Sequence, residues 1–150
     1  MVRIFHTFFL ARTLKCGHRY YTWSPHCIDI ANNLECVPML WGPQQETDFN
    51  SSIQATIDSH NVQAILSMNE PNEQGQSNLG PEDAANMWKQ YLEPLRSSKN
   101  VRLGSPAPSS NPNGLTWMQS FSDACNGGCS VDFIALRESI PSSQLKEYIR

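Results

Sequence analysis

The tripeptide Asn69-Glu70-Pro71 contains the side chains of this sequence that are best suited to chemistry. It directly follows the apolar run at 65–68, so the glutamate is expected at a strand end, near apolar side chains and Trp41. Loss of solvation there would favour the protonated carboxyl group and suit it to general acid catalysis. The alternative is an ordinary surface turn, in which a glutamate before proline is solvated.

Proline at position 71 also predicts the backbone conformation of this strand end. Because proline disfavours the α region for the residue before it, the extended conformation is expected to persist through Glu70 and to stop there. In a regular strand, Asn69 and Glu70 point to opposite faces. Both therefore reach one cleft only if the strand twists or bulges at its tip.

Aromatic residues recur at two other predicted strand ends. Trp23 follows the run that starts at Arg19, and Trp41 closes the run that starts at Cys36. Indole rings offer broad apolar faces that suit sugar rings, and active sites of parallel α/β folds lie at the carboxyl ends of strands. These positions predict one ligand-binding face. Trp88 and Trp117 recur at helical spacing instead and are predicted to be core residues.

The elements that must position these residues follow an alternating order. Apolar runs of strand length alternate with segments of helical periodicity, and the strands are predicted at 19–23, 36–41, 62–68, 101–105 and 131–136. This order indicates an α/β fold with a parallel sheet. The segment 104–114, rich in glycine, proline and serine, is predicted to be a long βα loop rather than an interdomain linker.

Three helices are predicted between these strands. One begins near Ser51 or Ser52, one begins at Pro81 with acidic residues in its first turn, and one follows Gly114. Pro94 should end or kink the second helix near Glu93, since proline cannot donate a helical hydrogen bond.

Composition narrows the classes of partner. The chain of 150 residues carries a net charge of −3 and is 39% hydrophobic, which is enough apolar material for one domain with a core. The basic residues are scattered, so neither nucleic acid nor a membrane surface is an expected partner. The apolar patch at 8–10 is too short for the core of a signal peptide or for a membrane span. The sequence therefore predicts no particular cellular compartment.

The five cysteines cannot all pair within one chain. Cys125 and Cys129 form the candidate disulfide, because the glycine-rich spacer between them can bring the two Cα atoms within disulfide reach. The alternative is a zinc site, which lacks the paired short spacings of zinc ligands, and no metal is therefore predicted. Its candidate ligands would be Cys16, His18, His26, Cys27 and Cys36.

Several segments, in order and with matching spacing, resemble glycoside hydrolase family 128, the alkali-sensitive-linkage type of glycosyl hydrolase catalytic core that is widespread in fungi. They are YYTWSP at 20–25, CVPMLWG at 36–42, LSMNEPN at 66–72, QSNL at 76–79, RLGSPA at 102–107, GLTWMQSF at 114–121 and VDFIA at 131–135.

The resemblance implies an eight-stranded (β/α) barrel that hydrolyses β-1,3-glucan with retention of configuration and without a cofactor. Glu70 is then the acid/base, and Asn69 is the residue that contacts the 2-hydroxyl of the sugar. Trp41, Trp23 and Asn72 are the candidate contacts to the glucan. Members of the family commonly act outside the cell or at the fungal cell wall.

The resemblance covers only part of such a barrel, about strands two to six. It spans 19–136, leaves 1–18 and 137–150 unmatched, and does not include the later strand that carries the nucleophile glutamate. Because a retaining glycosidase needs two carboxyl groups about 5 to 5.5 Å apart, the truncated chain as written is expected to be inactive. The alternatives are a non-catalytic glucan-binding fragment and an unstable gene-model fragment without function.

Overall fold

Short strands that are mostly parallel form the centre of the fold. The structure is a computed structural model, and it describes residues 3–5, 19–28 and 34–136. One sheet contains β1 (Arg3–Phe5), β2 (Arg19–Tyr21) and β3 (Glu35–Cys36), in which β1 and β2 are antiparallel and β2 and β3 are parallel. A second sheet pairs β4 (Ala64–Ile65) with β5 (Arg102–Leu103) in parallel.

Isolated parallel bridges connect these strands into a longer array. Met39 bridges to Leu66, and Gly104 bridges to Phe133, so the segments that contain β3, β4, β5 and 131–135 lie side by side in chain order. Each run that was predicted as a strand therefore contains a strand or a parallel bridge. The predicted α/β class is confirmed.

The buried side chains explain why these runs form strands. Ile65 and Leu103 are completely buried, and Ala64 is 1% exposed, as expected for parallel strands that are covered on both faces. Trp88 and Trp117 both lie in the hydrophobic core, as predicted, and Trp117 stacks on Phe121 with ring centroids 5.6 Å apart.

The first helix begins earlier than predicted. A 3₁₀ turn (Pro43–Gln45) leads directly into α1 (Glu46–Ser59), so the helix starts ahead of Ser51. Proline presets a helical φ at the first position of the turn, and Glu46 and Asp48 complement the partial positive charge of the helix N-terminus. These residues start the helix ahead of Ser51 and Ser52, near which the sequence predicted its beginning.

The second helix begins at Pro81, as predicted, but it does not end before Pro94. It runs through α2 (Pro81–Met87), a π-helical turn (Trp88–Leu92) and α3 (Glu93–Lys99). The N–H of Glu93 donates to the carbonyl of Trp88, which is the wider spacing of a π-turn. The widened turn accommodates a proline that has no N–H and whose ring would crowd a regular helix.

The third helix, α4 (Asn113–Cys125), is present but already includes Asn113 and Gly114, so it begins slightly earlier than predicted, and the segment 104–112 is the loop that precedes it. The N-terminal stretch that contains Cys16 and His18 lies outside the described residues, as does the segment 137–150. Within the described part of the chain, no helix has the length and apolar character that a membrane crossing requires.

Candidate active site

Asn69 and Glu70 lie at the carboxyl end of a strand segment with a neighbour on each side. The N–H of Asn69 donates to the carbonyl of Trp41 at 3.0 Å, and the N–H of Glu70 donates to the carbonyl of Ala107 at 2.9 Å. Successive residues thus bond to opposite neighbours, and the tip is held by the ends of two other segments. Asn69 is 4% exposed, whereas Glu70 is only partly buried.

The backbone of Glu70 does not have the extended conformation that the following proline predicts. Its φ is +42°, which is in the left-handed region, so that prediction is wrong. The hydrogen bond to Ala107 and the turn at 70–73, in which the N–H of Glu73 donates to the carbonyl of Glu70 at 3.0 Å, hold this conformation. A left-handed residue breaks the strand alternation at the point where Asn69 and Glu70 would otherwise point to opposite faces.

Positive φ values occur at two of the predicted site residues. Among the described residues, five that are not glycine have φ in the left-handed region. Three are asparagines, which tolerate it, and the other two are Trp23, with φ of +55°, and Glu70. Such conformations are costly for large side chains and are enriched at functional sites. Both residues that lack an easy local explanation are candidates for the chemistry.

Trp23 and Trp41 lie at the ends of consecutive strand segments. The N–H of Met39 donates to the carbonyl of Ser24 at 2.9 Å, which places these two strand ends side by side. Both tryptophans are partly buried. The amide of Gln45 donates to the carbonyl of Trp23 at 2.8 Å, and Tyr21 contacts the Trp23 ring edge-on with centroids 4.6 Å apart. The structure thus brings Trp23, Trp41, Asn69 and Glu70 to one edge of the sheet.

Asn72 is occupied by contacts within the protein. Its Oδ1 accepts a hydrogen bond from the N–H of Ser109 at 2.9 Å, and its Nδ2 lies 2.8 Å from Ser109 Oγ, 3.0 Å from Asn113 Oδ1 and 3.0 Å from Glu73 Oε1. This set joins the loop after Glu70 to the loop after β5. The predicted contact between Asn72 and a glucan stays a prediction.

Glu73 completes this cluster between the two loops. Ser109 and Asn111 both donate to its Oε1, and these hydrogen bonds, first that of Ser109, lower the pKa of Glu73. The carboxylate is therefore the stable form at neutral pH. No sequence signal predicts this contact, because Glu73 and Ser109 lie far apart along the chain and neither belongs to a recognisable catalytic spacing.

Two disulfides lie among the described residues. Cys125 and Cys129 are joined just after α4, which is the candidate pair from the sequence. Cys27 and Cys36 are also joined, a pairing that no local spacing in the sequence predicts. These two cysteines are thus unavailable to the zinc site that was considered as an alternative. In the described residues, no cluster of three or more histidine, cysteine, aspartate or glutamate side chains could hold a metal ion.

Comparison with known proteins identifies the family. The protein-family model described as the glycosyl hydrolase catalytic core matches residues 14–150 of the sequence. A solved structure of a curdlan-specific exo-β-1,3-glucanase of family 128, subgroup III, from Blastomyces gilchristii, in complex with glucose, is 36% identical with a TM-score of 0.72. The match covers 86% of this chain and 56% of that one. This chain belongs to glycoside hydrolase family 128.

Other family 128 structures give the same result. An endo-β-1,3-glucanase of subgroup I from Amycolatopsis mediterranei, in complex with laminaritriose, is 29% identical with a TM-score of 0.62, over 86% of this chain and 54% of that one. An exo-β-1,3-glucanase of subgroup VI from Aureobasidium namibiae is 27% identical with a TM-score of 0.64, over 77% and 44%. No curated protein matches the chain. The chain spans about half the length of these family 128 structures.

Proposed function

We propose that this chain forms the acid/base side of a β-1,3-glucan hydrolase site, within a (β/α)8 barrel to which it contributes strands two to six. Parallel segments that follow one another in chain order, with helices in most of the connections between them, support this architecture. A complete barrel takes about 250 residues, which agrees with a chain that spans about half of its relatives.

Glu70 is the proposed acid/base, and Asn69 is the proposed contact to the 2-hydroxyl of the sugar. The observation that carries this assignment is the left-handed φ of +42° at Glu70, on a strand tip held from both sides. A left-handed residue at a fixed strand tip redirects its side chain away from the face that regular alternation gives it, and such strained conformations cluster at active sites.

Trp41 and Trp23 are the proposed platforms for glucose rings. They lie at neighbouring strand ends beside the Asn69-Glu70 tip, and both keep part of their surface exposed. Aromatic faces bind the apolar faces of sugar rings.

The nucleophile is proposed to come from a later strand of the barrel, outside the stretch that the resemblance covers. A retaining mechanism needs both carboxyl groups at about 5 to 5.5 Å. The 150-residue chain by itself is therefore expected to bind β-1,3-glucan without hydrolysing it.

Two assays on the purified chain test this proposal. Retention on insoluble β-1,3-glucan should exceed retention on cellulose, whose β-1,4 linkage gives a different chain shape, and Trp41→Ala should reduce retention on the β-1,3-glucan several-fold. Release of reducing sugar from the same glucan should stay at the level of a blank. Hydrolysis that disappears in Glu70→Gln would show that the chain holds both catalytic carboxyl groups, and would overturn the proposal that it carries only the acid/base side. Equal retention on both polysaccharides would overturn the proposed recognition of β-1,3-glucan.

Stability separates weak recognition from an unfolded chain. We expect the wild-type chain and Trp41→Ala to give superimposable far-ultraviolet circular dichroism and a cooperative thermal transition. If the wild-type chain shows no transition, it is an unstable fragment and the proposed binding function is wrong.

A further inference from the structure

The side-chain amide of Asn69 is held by a neighbour that the proposed chemistry does not use. Asn69 Nδ2 donates to Oε1 of Gln76 at 3.0 Å. An amide has a donor end and an acceptor end, so a fixed acceptor at Nδ2 determines which end of Asn69 faces which direction.

The loop at 71–80 brings Gln76 to this position by folding back on the strand tip. The N–H of Gln76 donates to the carbonyl of Glu73 at 3.0 Å, and the N–H of Ser77 donates to the carbonyl of Asn69 at 3.3 Å. A further bond from the N–H of Leu79 to the carbonyl of Pro71 at 2.9 Å closes the loop. Gln76 therefore approaches Asn69 from a loop that is bonded to Asn69 itself.

Gly42 allows this loop to come so close. A Cβ atom at position 42 would lie 2.5 Å from Cβ of Ser77 and 3.3 Å from its Cα, and Ser77 is completely buried. The φ of Gly42 is 167°, which any residue can adopt, so the need for glycine here is steric. Gly42 directly follows Trp41, whose carbonyl accepts the N–H of Asn69.

We propose that Gln76 is a positioning residue that presets the amide of Asn69 for the 2-hydroxyl of the glucan, and that Gly42 is required because it lets the 71–80 loop reach that position. This inference rests on the proposed function, since it takes the 2-hydroxyl as the partner of Asn69. An amide that is fixed before binding loses less rotational freedom when the sugar arrives.

Two substitutions at position 76 separate orientation from packing. Gln76→Glu keeps an acceptor for Asn69 Nδ2, whereas Gln76→Lys offers only donors of similar reach. Binding of laminaritriose and of its 2-deoxy analogue is measured by calorimetry on the full chain. Gln76→Lys should weaken laminaritriose binding about five-fold, the net value of one hydrogen bond, and leave the analogue unchanged. Gln76→Glu should bind laminaritriose within two-fold of wild type.

The outcomes distinguish the inference from the proposed function. If Asn69→Ala does not change the preference for laminaritriose over the 2-deoxy analogue, the assigned role of Asn69 is wrong. If Asn69→Ala abolishes that preference but Gln76→Lys leaves it intact, only the role of Gln76 is wrong. Equal weakening of both ligands by Gln76→Lys identifies a general structural role and also overturns the inference.

A measurement without ligand keeps the inference testable when binding is weak. In a sample labelled with ¹⁵N at asparagine, the Nδ2 protons of Asn69 should exchange with solvent slowly in wild type and Gln76→Glu, and much faster in Gln76→Lys. Equal exchange in all three proteins would show that Gln76 does not hold the amide.

The matched control for Gly42 is Gly75, which lies in the 71–80 loop itself. A Cβ atom at Gly75 would meet no atom within 4 Å. Gly42→Ala should reproduce the fast exchange at Asn69 that Gln76→Lys causes, whereas Gly75→Ala should not. Slow exchange in Gly42→Ala would overturn the assigned role of Gly42.

Discussion

The disulfide between Cys27 and Cys36 ties the loop that carries Trp23 to the neighbouring strand β3. A hydrogen bond joins the same loop to β2: the hydroxyl of Tyr20 donates to the carbonyl of Ile28 at 2.6 Å. Trp23, which has a left-handed φ, lies between Tyr20 and Ile28, in the segment that this hydrogen bond closes and that Cys27 anchors to β3. The covalent link therefore stabilises the backbone that presents a proposed glucan platform.

Removal of this disulfide should lower both stability and glucan binding. For a closed loop of this length, the double substitution Cys27→Ala/Cys36→Ala should reduce the free energy of unfolding by about 2 to 3 kcal/mol, as measured by urea denaturation. The control is Cys125→Ala/Cys129→Ala, which opens the short loop after α4 and should cost about 2 kcal/mol. Only the first variant should lose retention on β-1,3-glucan, and equal loss in both would contradict the proposed role of the Trp23 loop.

Gly104 lets two strand segments pack closely, and its replacement should be destabilising. A Cβ atom there would lie 2.6 and 2.7 Å from ring carbons of Phe133 and 3.3 Å from Leu66. Gly104→Ala should therefore lower the free energy of unfolding by about 1 to 3 kcal/mol. In a Phe133→Ala background the same change should cost close to nothing, because the clashing ring is gone. Gly75→Ala is the control, since a Cβ atom there would meet no atom within 4 Å.

The pair formed by Asp132 and Arg96 predicts a pH-dependent term in stability. The Arg96 guanidinium donates to both carboxylate oxygens, at 2.9 and 3.0 Å, and lowers the pKa of Asp132, while the N–H of Leu103 donates to it at 2.9 Å. A lowered folded-state pKa contributes stability that is complete above the unfolded-state pKa and is lost as the pH falls through the folded-state pKa.

Thermal unfolding of Asp132→Asn across pH 7 to 2 tests this term. The variant should be less stable by about 0.5 to 1 kcal/mol at pH 7, a modest value because Arg96 is 43% exposed. The difference should begin to shrink as the pH falls below about 4, the ordinary pKa of an aspartate in the unfolded chain, and should be lost as the pH falls through the lower folded-state pKa. Asp58, which pairs with Lys99, is 62% exposed against 20% for Asp132, so Asp58→Asn should have a smaller effect. A difference that is constant over the whole range would refute an electrostatic origin.

Local signals in the sequence predicted much of the fold, but they could not predict contacts between residues that are far apart along the chain. Pro81 predicted where α2 begins, and Asn113-Gly114 predicted the start of α4 to within about one turn, because a helix start depends on adjacent residues. The contact between Gly42 and Ser77 and the disulfide between Cys27 and Cys36 depend on how separate segments pack. At Glu70 a local rule failed, since hydrogen bonds to neighbouring segments override the preference that the following proline imposes.

The left-handed backbone at Glu70 is expected to lower the free energy of unfolding of the whole domain. A left-handed φ costs a residue with a Cβ about 1 to 2 kcal/mol, a penalty from which glycine is exempt. Glu70→Ala and Glu70→Gly both remove the carboxyl group, so the comparison between them isolates the backbone. Glu70→Gly should be about 1 kcal/mol more stable than Glu70→Ala in urea denaturation.

The same comparison at an ordinary position provides the control. Ala55 is an exposed residue inside α1, where glycine is expected to be about 1 kcal/mol less stable than alanine. The order of the two residues should therefore reverse between positions 55 and 70. If glycine is the less stable choice at both positions, Glu70 is not strained. A left-handed φ that costs no stability would give no argument for a functional role of Glu70.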